Sequence, residues 1–130
     1  RIKKGLQKKL LLGDLSAQID FGYAPEYMEA TWKMMQLEKG RDFVICTGER
    51  HSVKEFLKEV FYQLDLKVED YVEYDSQFSR PGKTSNLVGD YSKARTAFGF
   101  EPKVKFKELV RRLVDYELSK NTESNLSNEF

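Results

Sequence analysis

The sequence predicts a mixed α/β fold with short strands and three main helices. Short apolar or β-branched runs are typical of strands, and longer segments with apolar residues at helical spacing are typical of amphipathic helices. The strand candidates are 10–12, 43–47 and 72–74, and the helix candidates are 25–37, 52–64 and 106–118. A chain of 130 residues suits one domain with a modest core.

The first forty residues read as strand, loop, strand and helix. An apolar run, Leu10–Leu12, ends at Gly13, and a helical pattern begins at Pro25 and continues to Leu37. Proline is favourable at the first helical position, because its missing N–H would have no partner there. This helix has one narrow polar stripe and is otherwise largely apolar, so we expect it to be buried on more than one side, in part by protein outside this segment.

The middle of the chain predicts a buried strand followed by a well-capped helix. Phe43–Thr47 should be the most buried strand, and it contains the single cysteine, Cys46, so an internal disulfide is excluded. Nothing nearby should lower the pKa of this thiol. Ser52-Val53-Lys54-Glu55 is a capping-box pattern that predicts a helix from Ser52 to Leu64. His51, the one histidine, is expected to lie in the turn before this helix and not to be catalytic.

The last third predicts one more strand and two more helices. Val72–Tyr74 is the strand, and Asp90 is the expected N-cap of a short helix that Gly99 ends. A longer helix should run from Phe106 to about Leu118. Residues 120–130 are polar, with repeated asparagine and serine, and predict a disordered tail.

Composition and motifs exclude several classes of function. Lys and Arg total 22 and Asp and Glu total 21, a balance that argues against a nucleic-acid partner. A secretory signal and a long apolar run are both missing, so we expect no membrane partner and a cytoplasmic location. Arg1–Leu6 reads as the end of a helix without an N-cap, which suggests a fragment of a longer protein. The sequence has no metal-ligand spacing and no glycine-rich dinucleotide fingerprint, so no catalytic, cofactor-binding or metal-binding residue is expected.

Three segments resemble, in order, parts of the GDP-mannose 4,6-dehydratases. They are IKKGLQKKLLLGDLSAQIDFGYAPEYMEATWKMMQ, DFVICTGERHSVKEF and SRPGKTSNLVGDYSKARTAFGFEPKVKFKELV. The first resembles a strand ending in Leu-Gly-Asn, a Lys-Arg-Asp-Trp-Gly loop and a helix. The last resembles an Arg-Pro loop, a Gly-Asp-x-x-Lys-Ala helix and a closing helix. Together the segments cover residues 1 to about 118.

The resemblance implies an extended short-chain dehydrogenase-type fold and an NADP-dependent lyase that acts on a GDP-sugar. In that family an N-terminal Rossmann domain binds NADP and carries the catalytic residues, and a smaller C-terminal part holds the nucleotide of the substrate. Residues 1–119 resemble only this substrate-binding part, so the family's glycine-rich fingerprint and its Tyr-x-x-x-Lys pair would precede residue 1.

The resemblance also implies that two loops hold the GDP moiety. The substrate-binding residues expected from it are Gly13, Asp14, Asp20, Arg80 and Lys83. A diphosphate is recognised well by arginines and backbone N–H groups, and a glycine lets the backbone approach the ligand closely. Arg80 is the expected phosphate contact, with Lys83 assisting.

The sequence departs from the family at this expected site. Gln18-Ile19 stands where the family has Lys-Arg, Asp14 replaces an asparagine, and Lys83 replaces a glutamate. Two cations are lost, so the sequence leaves open a second hypothesis, a diverged non-catalytic domain for protein association. A reductase or epimerase acting on another nucleotide sugar is a third. If the Rossmann half is missing, the apolar surface of the helix that contains Trp32 should be exposed or covered by another copy, so a homo-oligomer is expected.

Overall fold

The computed structural model describes residues 1–78 and 88–126. Within these residues the chain forms short strands, four α-helices and two 3₁₀ turns. The strands are β1 (Leu10–Leu12), β2 (Gln18–Ile19), β3 (His51–Ser52) and β4 (Val72–Tyr74). The helices are α1 (Ala24–Met35), α2 (Val53–Gln63), α3 (Ser92–Phe98) and α4 (Phe106–Leu126), and the 3₁₀ turns are Val68–Asp70 and Ser76–Phe78. The mixed α/β class with three longer helices is confirmed.

The strands form two separate pairs. β1 and β4 are parallel, with Leu10 opposite Val72 and Leu12 opposite Tyr74. The chain between them contains two helices, the kind of long crossover that parallel pairing requires. β2 and β3 are antiparallel and join the segment after β1 to the start of α2. The predicted strands at 10–12 and 72–74 are therefore confirmed.

Helix α1 forms close to its predicted bounds but buries only one residue completely. Ala30 packs in a cluster with Ala94 and Phe100, whereas Met28, Trp32 and Met35 are 64%, 62% and 77% exposed. Within the described residues one face of this helix is packed and the rest of its apolar surface is exposed, so burial of that surface by another part of the protein or by another copy stays a prediction.

Helix α2 begins with the predicted capping box. The Glu55 amide donates to Ser52 Oγ at 3.1 Å, and the Ser52 amide donates to Glu55 Oε2 at 2.5 Å. The bonds from Ser52 hold the pKa of the Glu55 carboxyl below its usual value. The helix buries Leu57 and Phe61 and packs against α4. The sequence therefore determines both the start of this helix and its packed face.

Residues 43–47 do not form the predicted strand. The segment forms no strand, and Val44 is 53% exposed, although Cys46 and Thr47 are buried. A β-branched run becomes a strand only when a neighbouring strand pairs with it, and no strand in the described part of the chain does so. Burial raises the pKa of the Cys46 thiol, as expected for an unreactive cysteine.

The two C-terminal helices differ from the prediction at their ends. Tyr91 is the N-cap of α3, one residue after Asp90, whose Oδ1 accepts the Ser92 amide at 2.8 Å. Gly99 ends the helix with φ of +71°, as predicted, because glycine adopts this left-handed conformation without strain.

Helix α4 extends to Leu126 and does not end near Leu118, so its last turns enter the segment predicted to be a disordered tail. Extending an existing helix by one residue is inexpensive compared with nucleating one. Arg111 adds surface ion pairs to Glu108 and Asp115, three and four residues away, that support the exposed face. Residues 127–130 lie outside the described part of the chain.

Candidate ligand-binding site

The candidate site lies where the two parallel strands end. β1 ends at Leu12 and leads into Gly13 and Asp14, and β4 ends at Tyr74. The Asp75 amide donates to the Leu12 carbonyl at 2.9 Å and holds the two strand ends together. The crevice beyond the carboxyl ends of parallel strands is where open α/β sheets bind their ligands. The strand pairing therefore places the loop after β1 at a favourable position for a site.

A cleft of about 770 Å³ opens at this edge. It is bounded by the loop after β1, by the β2–β3 pair and by the first turn of α2. The lining residues are Asp14, Leu15, Ser16, Gln18, Ser52, Lys54 and Tyr74. This volume is in the range of clefts that hold small-molecule ligands.

Asp14 is the predicted site residue that lines the cleft. Its Oδ1 accepts the Ser16 amide at 2.8 Å and the Ser16 hydroxyl at 2.6 Å. These two hydrogen bonds, the hydroxyl's first, lower the pKa of the Asp14 carboxyl. The residue therefore contributes a negative charge to the cleft at neutral pH.

Asp20 lies outside the lining of the cleft and anchors the connection after residue 46. Its Oδ1 accepts the Thr47 amide at 2.9 Å and the Thr47 hydroxyl at 2.5 Å, and its Oδ2 accepts the Gly48 amide at 3.0 Å. These donors from its own chain occupy the carboxylate. The contact of Asp20 with substrate stays a prediction.

Gln18 and Ile19 stand where the resembled family has Lys-Arg, and they occupy successive positions of β2. Gln18 lines the cleft and pairs with Ser52, whereas Ile19 pairs with His51 and is 42% exposed. Successive side chains of a strand point to opposite faces, so only one of the two can serve the cleft.

The other predicted site residues are only partly placed. Gly13 follows β1 at the edge of the cleft, next to Asp14. Arg80 and Lys83 lie in residues 79–87, outside the described residues, so their contact with a ligand stays a prediction. The described chain resumes at Val88.

Sequence reasoning missed several residues that line the cleft, above all Lys54 and Tyr74. The capping box does locate Ser52 and Lys54 at the start of a helix. The antiparallel pairing of two-residue strands β2 and β3 then brings that helix to the loop after β1. No sequence pattern indicates so short a pairing, so these residues could not be assigned to the cleft in advance.

His51 lies in β3 beside the cleft and not in the turn expected for it. Its ring stacks on Phe106, with the centroids 3.8 Å apart. Its Nε2 is buried and accepts or donates no hydrogen bond among the described residues, and the nearest carboxylate oxygens, of Glu49 and Glu55, are each 4.0 Å from a ring nitrogen. The histidine therefore packs between α2 and α4 and does not line the cleft.

One Tyr-x-x-x-Lys spacing does occur in the chain, at Tyr116 and Lys120 on α4. The Lys120 ammonium lies 4.2 Å from the centre of the Tyr116 ring, and Tyr116 is 57% exposed. Neither residue lines the cleft. The spacing here is that of a cation–π pair on a helix surface.

The described residues do not fit a dinucleotide or a metal ion. Within residues 1–78 and 88–126 no glycine-rich turn leads from a strand into a helix, the arrangement that binds a pyrophosphate. The same residues contain no group of three or more histidine, cysteine or carboxylate side chains placed to hold a metal ion. None of the helices in this part of the chain has the length and hydrophobicity required to span a bilayer.

Comparison with known proteins places this chain in a family. Residues 1–113 match the family model described as GDP-mannose 4,6 dehydratase. The chain belongs to the GDP-mannose 4,6-dehydratase family. It is similar to GDP-mannose 4,6 dehydratase 2 of Arabidopsis thaliana, with 49% identity over 91% of this chain and 32% of that sequence. The Dictyostelium discoideum GDP-mannose 4,6 dehydratase is 36% identical over 90% of this chain and 38% of its own length.

Solved structures show the same fold. RMD from Pseudomonas aeruginosa, complexed with NADPH, aligns with 88% of this chain and 38% of its own chain at a TM-score of 0.77 and 19% identity. The dTDP-glucose 4,6-dehydratase of Bacillus anthracis, in complex with NAD, gives a TM-score of 0.73 at 22% identity over 89% of this chain and 36% of its own. The fold of this chain is therefore that of the aligned parts of these two structures. The chain spans about a third of the length of these relatives, and the matches do not favour the hypothesis of a non-catalytic association domain.

Proposed function

We propose that this chain is the nucleotide-sugar-binding part of an NADP-dependent lyase that dehydrates GDP-mannose. The observation that carries the proposal is a cleft of about 770 Å³ at the carboxyl ends of a parallel strand pair. That cleft lies within the segment that matches the GDP-mannose 4,6 dehydratase family model. Ligands of α/β sheets bind in this position, so the cleft is the natural place for the nucleotide.

The proposed substrate contacts include described residues near this cleft and two residues outside the described part of the chain. Gly13 and Asp14 contribute from the loop after β1, and Asp20 is proposed to shape the site through the connection that it holds at Thr47 and Gly48. Arg80 is proposed as the main contact to the diphosphate, with Lys83 beside it. An arginine suits this role because its planar guanidinium can donate two hydrogen bonds to one phosphate group.

The chemical step is proposed to take place outside the described residues. The whole enzyme would remove water from the hexose, and NADP would supply the transient oxidation that this requires. The described residues do not fit a dinucleotide, so no step of the reaction is assigned to them. A cytoplasmic location and self-association through the exposed face of α1 are further parts of the proposal, and sedimentation at increasing protein concentration tests the second.

Titration calorimetry with GDP tests the proposed nucleotide site. The purified protein should bind GDP, and Arg80→Ala should weaken that binding by about 1.5–3 kcal/mol, the range for hydrogen bonds to a charged group. Arg41→Ala is the matched control, because Arg41 is an exposed arginine that does not line the cleft. The double change Gln18→Lys with Ile19→Arg should tighten binding, because Gln18 lines the cleft and its replacement adds a cation there, whereas Ile19→Arg adds a cation on the opposite face of β2.

The GDP affinities of the unaltered protein and its variants decide whether the nucleotide site is correct. The nucleotide site is rejected if the unaltered protein and the Arg80→Ala variant bind GDP equally and the double variant binds no better. Equal losses in the Arg80→Ala and Arg41→Ala variants would show a general effect of net charge and would also reject it.

A further inference from the structure

The charged side chains of the cleft lie on two different elements. Asp14 lies in the loop after β1 and Lys54 lies in the first turn of α2, and these are the two charged residues among those that line the cleft. The Asp14 carboxylate is ionised at neutral pH, as an exposed aspartate ordinarily is, and Ser16 donates two hydrogen bonds to it. An anion that enters the cleft is therefore repelled from the loop side and attracted to the helix side.

The start of α2 cannot supply backbone amides to such an anion. The Val53 amide donates to the Ala17 carbonyl at 3.1 Å, and the Lys54 amide donates to the Leu15 carbonyl at 3.0 Å. The third amide of the turn, that of Glu55, is taken by the capping serine. A helix start usually binds anions through these N–H groups, so only a side chain can do so here.

The same hydrogen bonds fix the position of Lys54 relative to the cleft. Its backbone is tied to the loop at Leu15, two residues after Gly13, and its side chain is exposed. Lys9, Lys33 and Lys105 form ion pairs with glutamates, whereas Lys54 forms none within residues 1–78 and 88–126. Its ammonium group therefore has no carboxylate to leave before it can meet a ligand.

We infer that Lys54 binds the diphosphate of the nucleotide in this cleft and that Asp14 limits the affinity for that anion. The inference rests on the proposed function, because it names the residue of the same site that neutralises the ligand. It makes the helix side of the cleft a source of positive charge. The two residues should then have opposite effects on anion binding.

Calorimetry with two probes, GDP and inorganic pyrophosphate, tests the inference on the purified protein. Lys54→Ala should weaken the binding of both probes about tenfold, the loss expected for one charge-assisted contact. Asp14→Asn should tighten both several-fold, since asparagine keeps an acceptor for Ser16 but removes the charge. Lys58→Ala is the matched control, because Lys58 is exposed one turn further along α2 and does not line the cleft. It should change either affinity less than twofold.

The outcomes separate this inference from the proposed function. If the protein binds GDP and Lys54→Ala binds it equally well, the inference is wrong and the nucleotide site stands. It is also wrong if Lys58→Ala loses as much affinity as Lys54→Ala, or if the loss is seen with GDP and not with pyrophosphate. If the unaltered protein binds neither probe, both the inference and the proposed function fail. Thermal unfolding of each variant checks that the fold is retained.

Discussion

The contact between Asp20 and the connection after Cys46 should be one of the strongest single stabilising contacts in the described chain. The Asp20 carboxylate accepts hydrogen bonds from three donor groups, the amide and hydroxyl of Thr47 and the Gly48 amide. Thr47 is buried, with 5% of its surface exposed, whereas Gly48 is exposed. Water can replace the carboxylate at Gly48 but not at Thr47, so the two Thr47 bonds carry most of the free energy.

Replacing Asp20 by alanine should therefore lower the free energy of unfolding by about 3 kcal/mol, twice the lower value for a hydrogen bond to a charged group. For a domain of this size that corresponds to a fall of roughly 10 °C in Tm. Asp20→Asn should cost less, about 1–2 kcal/mol, because its carbonyl oxygen can still accept from Thr47. The amide nitrogen of the new side chain would face the Gly48 N–H, and that bond would be lost.

Urea and thermal unfolding followed by circular dichroism measure these differences. Asp42→Asn is the matched control, because Asp42 is an exposed carboxylate near the start of the same connection. The reasoning is refuted if the free energy of unfolding of Asp20→Ala lies within about 1 kcal/mol of that of the unaltered protein. Such a loss would be smaller than the lowest energy assumed for one of these hydrogen bonds. It is equally refuted if Asp42→Asn causes the same loss.

Three further changes test the packing and the surface charges. Gly89→Ala should destabilise by about 1–3 kcal/mol in urea unfolding, because its Cβ would lie 2.5 Å from the Cβ and Sγ of Cys46, whereas Gly40→Ala meets nothing within 4 Å. Glu26→Ala should lower the Tm measurably, because the Glu26 carboxylate accepts the two backbone amides of residues 103 and 104 at 3.1 Å. Hydrogen bonds from two arginines lower the pKa of Glu108 from 4.5 to about 2. Its charge therefore stabilises the fold above pH 4.5 and is lost as the pH falls toward 2, so Glu108→Gln should flatten the pH dependence of Tm in that window.

Local patterns determined the elements that need no distant partner. The capping box at Ser52 and Glu55 forms as predicted because both partners lie within one turn. Gly99 ends α3 because its left-handed conformation is a property of the residue itself. The apolar run at Leu10–Leu12 is a strand as predicted.

The tertiary structure alone decided which segments meet. The run at 43–47 has strand propensity, but no described strand pairs with it, and the amide of Thr47 donates to Asp20 instead. The cleft depends on the pairing of β1 with β4, about sixty residues apart, and of Gln18 with Ser52. These pairings bring Lys54 to the loop after β1. Sequence spacing reports contacts within a few residues, whereas long-range pairing depends on the packing of the whole chain. The helix starts were therefore predictable from the sequence, and the lining of the cleft was not.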